Sequence, residues 1–410
     1  ETQPLIIFSS LLIVLFSYLL AKKMYNAKIA LITSVVMGVF WELLFNLGRL
    51  HVETLLLLFT YLSIYFFWDS YTKSERNSYS LLVGIFLALS FLTKYTTLIL
   101  GFTFLLFLIV TERLKFLKNK NFWIACLALF VSLIPYFIWS YVNFKTFFSF
   151  LTAANISSDA MAAKPPLLVS IKQLFGYIPY FTDKLFLILF IIGLLSLYKL
   201  IIGIDMWLKR NDNEMHADLF NVLFIILYLS FFIFILGSAD DRWIMPILFP
   251  LAIFVSKGLL IVHNFIRRYT TYVAIIVIVL LLCFGTYEQL KHADEIIKLK
   301  KDTYIQVKDA ALWMRDNSER GDSIFTLSYP QTIYYSQRSV YTYSTFNATT
   351  LEENISKLKP KFLVASVFEP HPECIFKYID EHREKFRPVQ AYFADAEQNP
   401  VLLVVYEIQY

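Results

Sequence analysis

A chain of 410 residues that is 58% apolar and 18% aromatic, with 17% of its residues charged, departs from a soluble domain, which is about 45–50% apolar. Its net charge of +5 is modest, and the basic residues cluster between apolar runs, which argues against nucleic acid as a partner and for anionic lipid headgroups. Cys126 and Cys283 lie in apolar runs and Cys374 stands alone in a polar tail, so no disulfide framework is expected.

In chain order, apolar stretches fall at about 4–21, 29–47, 51–68, 79–93, 95–111, 122–142, 184–202, 219–237, 243–262 and 269–287. Each is roughly long enough for a ~30 Å hydrocarbon core once tilt and interfacial residues are allowed, so about ten spans are predicted. The pair 79–93 and 95–111 hinges on a tight reversal at Lys94, and one bent span there would invert everything downstream. Residue 1 is Glu, and an apolar run begins by Pro4 without a basic region or cleavage site, so the native N-terminus is expected upstream.

Lysine and arginine set the orientation. If the first span runs inward, the inner loops carry Lys22, Lys23 and Lys28, then Lys73 and Arg76, the Arg113 to Lys120 cluster, Lys209 with Arg210, and Arg267 with Arg268. The opposite loops hold roughly half as many: Arg49, Lys94, Lys145, Lys164, Lys172 and Arg242. The tail is therefore expected outside the cytoplasm, where the Asn155, Asn347 and Asn354 sequons would also lie.

Residues 143–183 combine Phe144, Phe147, Phe148 and Phe150 with Pro165, Pro166, Leu174, Phe175 and Tyr177, which predicts short amphipathic helices in the membrane interface. They could wall a lipid-facing site or simply fill space between spans. From about 300 the tail reads helix 304–317, strand 323–327, a short helix, a strand near Val340, helix 351–358, strand 361–367, helix 372–385, then strands 389–393 and 401–408. That alternation predicts a small α/β domain. Its His371 and His382 lack metal-ligand spacing and it has no Gly-rich phosphate loop, which suits a structural or acceptor-binding role.

Ionisable residues at the edges of spans are costly and mark function by default. Glu42, Asn46, Arg49, His51 and Glu53 fall within twelve positions, Lys94 and Tyr95 lie at the next outer turn, and Asp240, Asp241 and Arg242 follow the eighth span. Cations here could hold a lipid-linked phosphate through charge-assisted hydrogen bonds, and a carboxylate could orient a nucleophile or take its proton. The plainer account has Arg49, Lys94 and Arg242 snorkelling to the interface, with Glu53 salt-bridged to one of them. A snorkelled Lys94 could be neutralised without loss of fold.

Gly48-Arg49-Leu50-His51-Val52-Glu53, opening an apolar span, resembles a segment of GT-C superfamily glycosyltransferases in which an acidic residue, usually Asp, begins a span on the outer face. Gly84 to Tyr95 resembles the Gly-x-x-x-Gly-x-x-x-Leu-Thr-Lys element of the same families, and Asp241-Arg242-Trp243-Ile244-Met245-Pro246 is similar to their Arg-Tyr-x-x-Pro motif, with Trp in place of Tyr. The likeness covers about residues 1–290 and extends to protein O-mannosyltransferases and the bacterial aminoarabinose transferase.

The resemblance implies a transmembrane domain at 1–290, an extracytoplasmic α/β domain at 291–410, and sugar transfer from a polyprenyl-phosphate donor to a lipid, glycan or protein acceptor on the outer face. No cofactor or metal is expected. Glu53 would be a supporting catalytic carboxylate, while Arg49, His51, Lys94, Tyr95, Asp241 and Arg242 would bind substrate. The families' usual principal Asp lies in a loop that would precede residue 1, and Glu at 53 adds a methylene where they carry Asp. Two other functions compete. A transporter or flippase of lipid-linked sugars should show internal repeats and broken helices near mid-membrane, and no repeat is evident. A non-catalytic scaffold is the third possibility.

Overall fold

The computed structural model describes residues 3–46, 51–72, 77–149, 166–202, 213–236, 240–301, 304–343, 348–369, 374–394 and 400–410. Arg49, the sequon residues Asn155 and Asn347, Lys164 and His371 lie outside the described residues. The chain divides into two compact units, Glu1–Ile296 and Ile297–Tyr410.

The first unit is helical throughout its described residues. Its principal helices are α1 (Gln3–Met24), α2 (Ala27–Val39), α3 (Trp41–Asn46), α4 (Val52–Thr72), α5 (Asn77–Thr93), α6 (Leu98–Glu112), α7 (Lys120–Phe144), α8 (Leu167–Leu194), α9 (Tyr198–Ile202), α10 (Asn213–Ser230), α11 (Asp241–Ile244), α12 (Leu248–Arg267) and α13 (Thr271–Lys301). Among the described residues eight helical stretches are long and apolar enough to cross a membrane, and the chain is a polytopic α-helical membrane protein. The expectation of about ten spans is met differently at two places, because α2 has 13 residues and α5 has 17. Phe40, with φ −54° and ψ 122°, interrupts the second predicted span between α2 and α3.

Local chemistry sets these boundaries. The Asn26 side chain accepts hydrogen bonds from the backbone N–H groups of Lys28 and Ile29 and so caps the start of α2. Lys94 is extended between α5 and a 3₁₀ turn, Tyr95–Thr97. Across that reversal Ser90 Oγ donates to Thr97 Oγ1 at 3.1 Å, tying the two helices together.

The span predicted at 184–202 begins earlier, because residues 167–182 are already helical and continue through a kink at Asp183. Asp183 has φ 51°, a region that non-glycine residues enter only when surrounding contacts hold them there. Those contacts come from α13. Gln289 Nε2 donates to Phe181 O and to Asp183 Oδ2, both at 2.9 Å, and Glu288 Oε2 accepts from the Leu185 N–H.

At the centre of the bundle stands α12, buried from Leu248 to Leu259. Gly258 allows it to meet α8 backbone to backbone, since a Cβ there would sit 1.9 Å from Leu189 O, and one on Gly193 would sit 1.8 Å from Phe254 O. Gly84, in the Leu-Thr-Lys element, lets α5 close on α7 in the same way, 2.3 Å from Ala125 O to a notional Cβ.

The second unit holds a five-stranded mixed sheet of order β2-β1-β3-β5-β4, with β1 Ser323–Phe325, β2 Ser339–Tyr341, β3 Phe362–Ser366, β4 Phe386–Phe393 and β5 Val401–Ile408. β1 pairs in parallel with β2 and β3, while β5 runs antiparallel to β3 and β4. Side chains alternate along β3. Phe362 and Val364 pack with Val307, Ala311 and Met314 of the helix Ile305–Asp316, whereas Leu363 packs with Leu351, Ile355, Ile375 and Ile379 of the helices Ala348–Leu358 and Cys374–Glu381. The sheet is thus covered on both faces, as the small α/β tail requires. Asn354, the sequon residue that is described, donates its amide to Thr350 O within its own helix.

Candidate functional site

Among the residues expected to act, the first unit brings Glu53, Lys94 and Arg242 into one region. Val52 and Glu53 begin α4, Lys94 is the extended residue before the 3₁₀ turn, and Arg242 is the second residue of α11. Lys94 Nζ donates to Glu53 Oε1 at 2.9 Å, with side-chain exposures of 15% and 6%. Glu53 is thus salt-bridged to one of the three cations, as the plainer account expects, but Lys94 is largely buried and does not snorkel. It is one half of a buried ion pair. Burial lowers the ammonium's pKa against the Glu53 carboxylate, which raises it, while Arg242 and Asp240 act on it from further off. The face of Trp243 lies 5.1 Å from Nζ, within cation–π range.

Asp240 caps α11 by accepting from the Arg242 N–H, and it also clamps the Arg242 side chain bidentately, Nε to Oδ1 at 3.0 Å and Nη2 to Oδ2 at 2.6 Å. Burial raises the Asp240 carboxyl, but hydrogen bonds from Arg242 and Asp241 outweigh it and hold the group below the usual carboxylate range. Arg242 stays about one-third exposed. Tyr228 OH donates to Trp243 O at 3.0 Å and fixes the turn from α10.

The other expected residues are placed differently. His51 is part-buried two positions before Glu53. Tyr95 packs with the apolar cluster of Ala88, Phe91 and Leu133. Asp241 accepts from the Arg242 N–H at 2.8 Å and borders a separate open depression with Tyr177 and Tyr180. Glu42 is buried on α3, where Asn46 Nδ2 donates to its Oε1 at 3.0 Å.

Two polar clusters escaped sequence reasoning. His292 Nδ1 lies 2.9 Å from Asp183 Oδ1, and its ring stacks on Trp41 with centroids 4.5 Å apart. Trp41 Nε1 donates to Tyr180 O, and Gln289 Oε1 accepts from the Trp41 N–H. This network joins α3, the α8 kink and α13. The second cluster marks the opposite end of α4, where Asp69 pairs with Lys23 at 2.9 Å, roughly 24 Å along the helix from Glu53. Nearby on α10, Asp218 accepts from Lys257 and from Tyr25 OH. Interruptions such as Thr182-Asp183-Lys184 were the signal available, but nothing in the sequence says which partner each residue meets. Among the described residues no three His, Cys, Asp or Glu side chains gather as a metal site.

The bundle geometry is shared with known enzymes. The chain shares its fold with solved structures of two such proteins, over 88–100% of its length. The family described as dolichyl-phosphate-mannose-protein mannosyltransferase matches residues 4–139, the stretch holding Glu53 and Lys94. ArnT from Cupriavidus metallidurans, crystallised with undecaprenyl phosphate, is similar with a TM-score of 0.61 and 11% identity, over 98% of this chain and 83% of that one.

The Archaeoglobus fulgidus oligosaccharyltransferase, solved with zinc and sulfate, is similar with a TM-score of 0.55 and 15% identity, over 88% of this chain and 55% of its own. In a form tethered to an acceptor peptide containing the NVT sequon it gives a TM-score of 0.54 and 13% identity, over 100% of this chain and 63% of that one. The chain thus spans less than two thirds of the oligosaccharyltransferase. Among curated protein sequences none matches it.

Proposed function

We propose that the protein is a membrane glycosyltransferase that moves a sugar from a polyprenyl-phosphate donor to an acceptor on the outer face of the membrane. One observation carries the reading: on a glycosyltransferase bundle, the Glu53–Lys94 pair and the Asp240–Arg242 pair form one polar cluster at the mouths of three helices. Two cations held in place by carboxylates suit a phosphate that gains negative charge as the sugar leaves, because their geometry is set before the charge develops. Arg242, clamped by Asp240, would offer its remaining N–H groups. Lys94 would supply a fixed positive charge, and Glu53 would serve turnover by holding that charge in place.

The basic-residue asymmetry supports placing this cluster, and with it the second unit, on the outer face. The test uses the full-length protein in lipid nanodiscs, assayed for undecaprenyl phosphate binding and for release of sugar from a polyprenyl-phosphate sugar. Binding that weakens in Arg242→Met, together with donor-dependent transfer, is expected. An unchanged affinity in Arg242→Met would overturn the phosphate assignment. Movement of intact donor across sealed vesicles without transfer would replace the enzyme with a flippase.

A further inference from the structure

We infer that the face of α8 before its kink, together with Asp240 and Asp241, forms a sugar-binding subsite for the acceptor, beside the cation cluster. The inference rests on the proposed transfer reaction and names the chemistry of its second substrate. Val169, Lys172, Gln173, Gly176, Tyr177 and Tyr180 recur at helical spacing on one face, and with Asp240 and Asp241 they line an open depression of about 690 Å³. That lies within the roughly 300–1,000 Å³ of ordinary ligand clefts.

The lining is chemically selective. Two tyrosines supply aromatic surface against which the C–H face of a pyranose can pack, and their hydroxyls, the Gln173 amide and the Asp241 carboxylate suit the ring's hydroxyls, while Asp240 stays clamped to Arg242.

The aromatic wall is also braced from behind. Trp41 meets Tyr180 edge-on with centroids 4.8 Å apart, His292 meets it at 5.5 Å, and Phe181 stacks on Tyr177 at 6.0 Å. The network of Asp183, Gln289 and His292 that holds the kink therefore holds this wall as well. Such bracing lowers the entropic cost of ordering the wall when a ligand binds.

Gly176 lies between Lys172 and Tyr180 on the same helical face, and a Cβ there would meet nothing within 4 Å. Glycine is a poor helix former. Its missing side chain leaves open space on this exposed face of the helix. That gives a test in which blocking the depression does not threaten the fold.

The full-length protein in nanodiscs would be examined by saturation-transfer NMR with methyl gluco-, galacto- and mannopyranosides, and for undecaprenyl phosphate binding on the same samples. Ring-proton transfer from at least one glycoside is expected in the wild type and is lost in Gly176→Trp, whose melting temperature and lipid binding stay at wild-type values. Tyr180→Ala should bind about tenfold more weakly, about 1.4 kcal/mol. Should Gly176→Trp fail to fold, Gly176→Leu supplies the same comparison.

Equal transfer in wild type and the blocked variant would overturn the subsite. So would an absence of transfer from every glycoside in a protein that binds undecaprenyl phosphate. Loss of lipid binding alone, with glycoside signals still sensitive to Gly176, would overturn the donor assignment and leave the subsite standing.

Discussion

Replacing Lys94 by Met removes one half of a pair whose other half, Glu53, is 5% exposed. At the 2.9 Å separation and an effective dielectric of ~20, the attraction is about 6 kcal/mol before the expense of desolvating both groups is set against it. Leaving the carboxylate buried alone is expected to destabilise the protein by about 3–5 kcal/mol, or to force Glu53 to take up a proton. The double variant Lys94→Met/Glu53→Gln removes both charges, so it should recover most of that loss, giving a coupling energy of about 2–3 kcal/mol.

Thermal unfolding of the four proteins in one detergent, followed by tryptophan fluorescence, measures the cycle. Undecaprenyl phosphate binding then separates fold from function, because the rescued double variant should melt near wild type yet bind the lipid less well. A Lys94→Met protein that melts with the wild type would refute the buried-pair argument. Additive single effects would show that the two side chains do not share an interaction.

Three further outcomes follow from the packing and the topology. Gly258→Ala should destabilise by about 1–3 kcal/mol or more, since its methyl would fall 1.9 Å from Leu189 O and α8 and α12 must part, and an unaltered melting temperature would contradict the contact. Asp183→Ala should lower stability by about 1–3 kcal/mol, because Gln289 and His292 lose a shared partner at a strained backbone position, and a more stable variant would show that α13 does not hold the kink. Reporter fusions at Lys118 and Gln331 in the full chain should give opposite signals, and matching signals would refute the ten-span topology.

Amino-acid order alone determined the class of this protein, because bilayer burial is written into long apolar runs that need no partner to be recognised. It also determined the order of elements in the tail, where strands and helices alternate with short turns. Glu53, Lys94 and Arg242 stood out for the same reason, as costly charges at the ends of spans.

What the tertiary structure decided was partnership. Glu53 meets Lys94 across forty-one positions and Asp183 meets His292 across one hundred and nine, separations that no local pattern encodes. Helix in residues 167–182 was legible as an amphipathic segment, but its junction with 184–194 through the kink at Asp183 was not, since Gln289 and Glu288 of α13 bond the backbone on either side of it. Tyr95 read as a site residue from its place beside Lys94, yet a reversal at Lys94 turns its ring toward Phe91 and Leu133. Sequence determines which groups are expensive to bury, and only the fold determines which group offsets each expense.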